Sequence, residues 1–215
     1  MTRLFVFDLD GTLVDSLRDL ADSANELLGE CGRPPLDVDA VGRMVGEGAA
    51  QLVARVFAAS GIAMPPGALE RFLAIYDTRL LNHTRAYDGM PDALASLSRN
   101  APLAVLTNKP LDATVRVLDG LGLSKFFTSG ILGGDGPLPR KPDPSGMLSL
   151  CERAGVTAAE AMLVGDSFID WQTAENAGTR ICLARYGFGF REFPKDRLRS
   201  GEHLIDSPVD LLNLS

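Results

Sequence analysis

Short apolar runs occur once at the start of the chain and repeatedly in its second half. They are bounded by glycine, proline and polar residues and are too short to be buried helices, so they predict strands that are covered on both faces. The predicted strands are Leu4–Phe7, Leu103–Leu106, Phe127–Leu132, Met162–Val164 and Ile181–Leu183, with a sixth at His203–Ile205.

Between the later strands, apolar residues recur at helical spacing. The clearest examples predict helices over Leu111–Leu118 and Met147–Ala154. Strands that alternate with helices are typical of a parallel sheet with helices on both faces. The pattern therefore predicts an α/β fold.

Residues 16–86 depart from this alternation, because they show helical spacing and no strand pattern. Pro34-Pro35 and Pro65-Pro66-Gly67 predict loops between the helices. We expect an all-helical cap at residues 16–86, inserted into a core formed by residues 1–15 and 87–215. The apolar positions of the predicted helices lie within Leu17–Leu28, Val38–Val45, Leu52–Phe57 and Leu69–Tyr76.

Composition narrows the functional classes. The chain of 215 residues has a net charge of −7, and its basic residues cluster only in the mixed Arg191–Arg199 stretch, which argues against nucleic acid as a partner. It contains no apolar run of the length that a membrane span needs. Three widely separated cysteines indicate a reducing compartment, so we expect a cytoplasmic protein, as a monomer or a homodimer.

Polar residues with catalytic potential follow the predicted strands. Asp8 and Asp10 end the first strand, Thr107 follows the second, Lys141 comes after the third, and Asp166 ends the fourth. Ligands of parallel α/β sheets bind beyond the carboxyl ends of the strands. We therefore expect these side chains to converge on one site.

Carboxylates brought to one point repel each other unless a cation lies among them. Oxygen ligands without histidine or cysteine suit Mg²⁺, which also accepts a phosphate oxygen. The predicted ligands are Asp8, the backbone carbonyl of Asp10, and Asp166. The alternative for any single aspartate is a cap of a helix or turn.

The same residues suit phosphoryl transfer. Asp8 ends a rigid apolar strand and is the predicted nucleophile, and Asp10 is the predicted general acid and base. Thr107 and the backbone N–H of Asn108 are predicted to bind the phosphoryl group, although Thr107 is alternatively a helix N-cap. Lys141 would neutralise charge on the phosphate and on Asp8.

Residues around this set are assigned supporting roles. Gly11 permits the turn after Asp10 and is a predicted substrate contact. Asp170, one helical turn beyond Asp166, would orient Lys141 or a water on the metal, and Ser167 belongs to the same supporting set.

The Gly46-Glu47-Gly48 loop is predicted to read the part of the substrate that is not phosphate, with an ordinary turn between helices as the alternative. Glu47 would repel a carboxylate substrate unless Arg43 or a backbone amide offset its charge, so Gly46 and Arg43 are the predicted contacts.

Four motifs together resemble those of the haloacid dehalogenase superfamily. They are Phe7-Asp8-Leu9-Asp10-Gly11-Thr12-Leu13, Thr107, Lys141-Pro142 and Gly165-Asp166-Ser167-x-x-Asp170. The resemblance implies a Rossmann-like core, Mg²⁺ and an aspartyl-phosphate on the first aspartate, Asp8. The position of the insertion implies the helical type of cap.

Further stretches are similar to the phosphoglycolate phosphatase subfamily. They are Val45-Gly46-Glu47-Gly48-Ala49, Tyr87-Asp88-Gly89, Gly133-Gly134-Asp135 and Tyr186-Gly187-Phe188-Gly189. The resemblance implies a phosphatase for a small phosphate ester such as 2-phosphoglycolate. The alternatives are another small ester or pyrophosphate, a sugar phosphomutase, or a binding protein without activity. Asp10 argues against a dehalogenase, which would lack a general acid there.

Overall fold

A computed structural model describes residues 2–214; Met1 and Ser215, which end the predicted core ranges, lie outside the described residues. The strands are β1 Leu4–Phe7, β2 Val14–Asp15, β3 Arg85–Ala86, β4 Leu103–Leu106, β5 Ile131–Leu132, β6 Ala161–Gly165, β7 Arg180–Ala184 and β8 His203–Ile205. Six of them form one sheet in the order β5-β4-β1-β6-β7-β8, and each neighbouring pair is parallel.

Helices connect the strands. They are α1 Leu17–Glu30, α2 Val38–Gly42, α3 Ala49–Ser60, α4 Ala68–Asp77, α5 Met90–Leu97, α6 Leu111–Gly120, α7 Ser145–Ala154 and α8 Phe168–Ala177. Short 3-10 helices lie at Ser124–Phe126, Ala158–Glu160, Phe188–Glu192, Lys195–Arg197 and Pro208–Asn213. In the part of the chain that is described, none of the helices has both the length and the apolar character that a bilayer crossing requires.

Alternate residues of the central strands serve two separate apolar layers. In β1, Phe5 and Phe7 join the layer that contains α5 and α6, while Leu4 and Val6 join the layer of α7 and α8. Successive side chains of a strand point to opposite faces, so every position of a doubly covered strand is apolar. This arrangement confirms the predicted α/β fold with a Rossmann-like parallel sheet.

Two details of the predicted strands are wrong. The strand expected over Phe127–Leu132 is reduced to β5, because residues 128 and 129 form a turn after the 3-10 helix at Ser124–Phe126. The stretch expected to contain no strand ends with β3, which pairs antiparallel with β2. A strand of two residues is too short to produce a periodic pattern.

Helices α1–α4, here called the helical segment (residues 17–77), pack onto the sheet layer that contains α5 and α6. Leu20 of α1, Leu52 of α3 and Phe72 of α4 are buried in the same cluster as Phe7 of β1. The helices have one apolar face each, which they can bury only against one another and against the core. The β2–β3 pair holds the two connections to the helical segment side by side.

Asp19 fixes the return from the helical segment to the core. Its carboxylate is 1% exposed and accepts hydrogen bonds from the backbone N–H groups of His83 and Thr84 and from the Thr84 hydroxyl, at 2.8 to 3.1 Å. A buried carboxylate is stable when donors surround it in this way. Asp19 thus ties α1 to the segment that leads into β3.

Asp19→Ala should lower the free energy of unfolding by about 3 kcal/mol, because it leaves buried donors without an acceptor. Urea denaturation measures the change. Asp22→Ala, which removes the partner of the exposed Arg18 on the same helix, is the matched control and should leave stability unchanged within error. Equal effects of the two substitutions would contradict the assigned role of Asp19.

Candidate active site

The end of β1 places Asp8 rigidly at the edge of the sheet. Asp8 is 7% exposed, and its backbone N–H donates to the carbonyl of Val164 at 2.9 Å, so the chain stays paired with β6 up to the site. Gly11 follows with a φ of +87°, and a Cβ there would lie 2.1 Å from Asp166 Oδ2. Both facts restrict position 11 to glycine and let the turn close over Asp166.

Three buried carboxylates meet beside one lysine. Oxygen atoms of Asp8, Asp166 and Asp170 all lie within 4.8 Å of one another. The Lys141 Nζ is 2.8 Å from Asp8 Oδ1 and 2.6 Å from Asp170 Oδ1. Segments that follow β1, β5 and β6 therefore bring four charged groups together at the carboxyl edge of the sheet.

Burial dominates the electrostatics of this cluster. Burial raises the pKa of Asp8 to about 6, with a smaller contribution from the charge of Asp170, while Lys141 lowers it. Burial and the neighbouring charges of Asp170 and Asp8 raise the pKa of Asp166 well above its usual range. Burial lowers the pKa of Lys141, but the negative charges of Asp170 and Asp8 have a larger opposite effect and hold this pKa above its usual range.

Hydrogen bonds orient the two carboxylates that follow β6. Asp166 accepts from the Gly189 N–H at 2.7 Å and from the Thr12 hydroxyl at 3.3 Å. Asp170 accepts at its Oδ2 from the Ser167 N–H at 3.0 Å and the Ser167 hydroxyl at 2.6 Å, which forms a capping box at the start of α8. Its Oδ1 stays with Lys141, so Asp170 links the helix start to the lysine.

The cluster fits a hard divalent cation. Its donor atoms are carboxylate oxygens, and as ions the three aspartates carry three negative charges against the single ammonium of Lys141. One divalent cation would restore neutrality and offset the repulsion that adds to burial in raising the pKa values of Asp8 and Asp166. Both oxygens of Asp170 already accept hydrogen bonds, from Lys141 and from Ser167.

The Asp10 side chain faces the other side of the site. Its Oδ1 accepts from the Ser16 hydroxyl at 2.6 Å, and both of its oxygens lie 3.2 Å from the Lys109 Nζ. Lys109 in turn contacts the Tyr76 hydroxyl of α4 at 2.6 Å. The sequence analysis assigned no role to Lys109, although its place directly after Thr107-Asn108 at a strand end was the available signal.

Thr107 and Asn108 follow the end of β4 and directly precede Lys109. The Thr107 hydroxyl accepts from the Lys109 N–H at 3.3 Å. Helix α6 begins at Leu111 after Pro110, so Thr107 is not its N-cap and the Asn108 N–H lies ahead of the helix start. The Asn108 side chain donates to the carbonyls of Gly46 and Lys141, both at 3.0 Å, and so joins the loop of the helical segment to the core.

The Gly46–Gly48 loop reaches the site, but Arg43 lies elsewhere. Gly46 and Gly48 line a cavity together with Asp8 and Asp10, whereas Arg43 is exposed at the C-terminal end of α2 and is absent from the residues that line this cavity. Glu47 forms an ion pair with Arg55 of α3. Its charge is therefore offset by Arg55 and not, as anticipated, by Arg43 or a backbone amide.

This cavity, here called the leaving-group cavity, has a volume of about 210 Å³ and lies between the helical segment and the core. Asp8, Asp10, Thr107 and Lys109 form its polar side. The apolar lining consists of Leu20, Val45, Leu52, Phe72 and Leu73 of the helical segment and of Leu80, which follows that segment. A substrate bound at Asp8 would extend into this cavity.

Comparisons with known proteins agree with the geometry. The family model of the haloacid dehalogenase-like hydrolases matches residues 5–184. A phosphoglycolate phosphatase of Rhodospirillum rubrum is 43% identical over 197 residues, which cover 87% of this chain and 81% of that protein. Phosphoglycolate phosphatase 1 of Pseudomonas aeruginosa is 38% identical over 196 residues, which cover 87% and 71%.

A solved structure extends the agreement to the whole fold. The crystal structure of a predicted phosphoglycolate phosphatase from Haemophilus somnus superposes with a TM-score of 0.90 at 28% identity and covers 99% of this chain and 97% of its own. The carboxylate cluster lies inside the matched range. The chain therefore belongs to the haloacid dehalogenase-like hydrolase family, and its sequence and fold are those of the phosphatases in that family.

Proposed function

We propose that this phosphatase is Mg²⁺-dependent, forms an aspartyl-phosphate on Asp8, and hydrolyses a small phosphomonoester, with 2-phosphoglycolate as the favoured substrate. The observation that carries the proposal is the convergence of the Asp8, Asp166 and Asp170 carboxylates beside Lys141. Carboxylates that pointed to different pockets would have excluded a shared cation. The names of the relatives support the substrate.

In the first step, an Asp8 oxygen attacks phosphorus and the bond from phosphorus to the ester oxygen breaks. Asp10 donates a proton to the departing alkoxide, which leaves as the alcohol. Lys141 beside Asp8 balances the negative charge of the phosphoryl oxygens, and the Thr107 hydroxyl and Asn108 N–H offer them hydrogen bonds. Gly11 and Gly46 border the substrate because neither adds a side chain to the site.

In the second step, Asp10 takes a proton from a water molecule that attacks the phosphorus of the aspartyl-phosphate. The bond between phosphorus and Asp8 breaks and inorganic phosphate leaves, so both carboxylates return to their starting states. Asp10 lines the leaving-group cavity next to Asp8, which suits both roles.

Asp8, the Asp10 carbonyl and Asp166 would hold Mg²⁺. When bound, the ion neutralises the approaching phosphate and the carboxylates, so that an anion attacks an anion without prohibitive repulsion. Asp170 and Ser167 keep Lys141 and the start of α8 in place. The ion and the buried Lys141 provide the local positive charge that a protein of net charge −7 needs to bind phosphate.

We further propose the division into a core of residues 1–15 and 87–215 and a cap of residues 16–86. The adjacent β2 and β3 strands at the two crossings support it. A small phosphate ester is the proposed partner. A cytoplasmic location, a monomeric or homodimeric state, and the absence of nucleic-acid and membrane partners stay predictions.

Asp8→Asn should lower kcat/KM for 2-phosphoglycolate and for p-nitrophenyl phosphate at least about 1,000-fold, because the amide cannot form the phosphoryl intermediate. Steady-state assays at saturating Mg²⁺ measure the loss. Asp22→Asn, far from the site, should retain full activity. Turnover by Asp8→Asn at the wild-type rate would dismiss the nucleophile.

Asp10→Asn should slow hydrolysis of alkyl phosphates about 100-fold or more, because it removes proton transfer in both steps. With p-nitrophenyl phosphate the leaving group needs little protonation, so the first step should persist and phosphoenzyme should accumulate. Acid quenching followed by detection of protein-bound phosphate measures it. No accumulation together with unimpaired turnover would remove Asp10 from both steps.

Without metal, the raised pKa of Asp8 should make stability depend on pH. A carboxyl group whose pKa rises from 3.8 to about 6 on folding binds its proton more tightly in the native state. Below about pH 4 the carboxyl group is protonated in both states and its raised pKa does not affect stability. As pH rises past 6, the raised pKa lowers the free energy of unfolding by an amount on the order of 3 kcal/mol. In EDTA, Asp8→Asn should therefore be more stable than the wild type at pH 7.5, by a margin that shrinks towards pH 4.5.

Thermal unfolding in EDTA between pH 4.5 and pH 7.5 tests whether ionisation of Asp8 lowers stability. Addition of Mg²⁺ at pH 7.5 should then raise the Tm of the wild type more than that of Asp8→Asn. Lower stability of the variant at pH 7.5 in EDTA would show that the Asp8 carboxylate is not under electrostatic strain.

A further inference from the structure

Lys109 is a buried cation that the proposed reaction does not use. Its side chain is 4% exposed, and its Nζ contacts the Tyr76 hydroxyl at 2.6 Å and both Asp10 oxygens at 3.2 Å. The ammonium also lies 4.4 Å from the centre of the Tyr76 ring. A lysine is rarely buried to this extent without a specific partner, because desolvating its charge is costly.

The three contacts of the ammonium differ in length. It carries three N–H groups, one of which the Tyr76 hydroxyl takes at a short distance. The two contacts to Asp10 are equal and are longer than the roughly 2.7–2.9 Å of a well-formed ammonium–carboxylate bond. Asp10 is therefore the more loosely held of the two partners, and its share of the ammonium is the one that a substrate carboxylate would take up. Burial lowers the pKa of Lys109, but the contacts with Asp10 and Tyr76 have a larger opposite effect and hold this pKa above its usual range.

Lys109 also stands alone in the leaving-group cavity. Among the described residues that line this cavity, it is the sole lysine or arginine. The neighbouring cations are committed elsewhere: Lys141 to Asp8 and Asp170, Arg55 to Glu47 and the Met44 carbonyl, and Arg140 to the Gly134 carbonyl. An anionic group in this cavity therefore finds one cation within reach.

The distance from the reacting centre fixes what that anionic group is. In the proposed reaction the ester oxygen of a substrate on Asp8 faces Asp10, and the Lys109 Nζ lies 3.2 Å from the Asp10 oxygens. A carboxylate one carbon away from the ester oxygen would lie beside both groups. The other charged residues that line the cavity, Asp77 and Asp112, are acidic and would repel a longer anionic chain.

We propose that Lys109, held in place by Tyr76, binds the carboxylate of the substrate and makes the enzyme select phosphate esters of short 2-hydroxy acids. This inference rests on the proposed phosphatase activity and assigns the residue that sets its specificity. The lysine comes from the core and the tyrosine from α4, so the selecting group depends on both parts of the molecule.

The test compares two substrates that differ only at the carboxylate, 2-phosphoglycolate and ethyl phosphate, by the ratio of their kcat/KM values with Mg²⁺ present. A ratio taken within one variant cancels the fraction of folded enzyme, and it cancels any displacement of Asp10, because both leaving groups are alkoxides that need the same proton. The wild-type ratio should be about 100 or more, as expected for a buried charge-assisted contact.

Lys109→Met should lower this ratio 10- to 100-fold, mainly through a higher KM for 2-phosphoglycolate. Lys109→Arg should restore part of it, and Tyr76→Phe should lower it less than Lys109→Met, since the tyrosine only orients the cation. Lys125→Met, which removes an exposed lysine far from the cavity, is the matched control and should keep the wild-type ratio.

A ratio in Lys109→Met within about twofold of the wild type would overturn the inference; if both substrates then slowed together, Lys109 would act by positioning Asp10. A wild-type ratio near one would also overturn it while leaving the phosphatase intact. A wild type that hydrolyses neither ester would instead sink the proposed function, and the carboxylate site with it.

Discussion

Electrostatic repulsion among three buried carboxylates is the constraint on which the rest of this structure depends. Asp8, Asp166 and Asp170 share one small volume at the carboxyl edge of the sheet, and the only ammonium in contact with them belongs, among the described residues, to Lys141. Such a concentration of charge is costly in a protein interior. It persists because each group is attached to the rigid end of a strand or the start of a helix, so the site cannot relax by moving apart.

The surrounding structure serves to hold that concentrated charge. The turn at Gly11 passes so close to the Asp166 carboxylate that a Cβ at position 11 would lie 2.1 Å from it, so only glycine fits there. The capping box of α8 holds Asp170, and the Gly189 N–H holds Asp166. Sheet pairing between β1 and β6 sets the separation of Asp8 from Asp166. Stability is thereby traded for a site that a divalent cation and a phosphate ester would both complete.

A second charged system, made of Asp10, Lys109 and Tyr76, joins the helical segment to the core. It stands beside two other links across the same boundary, the Asn108 contact to Gly46 and the ion pair of Arg116 with Asp77. The leaving-group cavity lies within this boundary. In the proposed reaction the chemistry therefore belongs to the core, and the recognition of the substrate is shared with the helices that cover it.

The sequence by itself determined the sheet, the order of its helices and the residue types at the strand ends, because the spacing of apolar residues along the chain depends only on local secondary structure. It placed Asp8, Thr107, Lys141 and Asp166 at such ends before any coordinate was known. Tertiary structure decided which side chains of distant segments meet: Lys109 with Tyr76, Glu47 with Arg55, and Asp19 with Thr84. These contacts depend on how four helices pack against the core, and packing angles leave no periodic trace in a sequence.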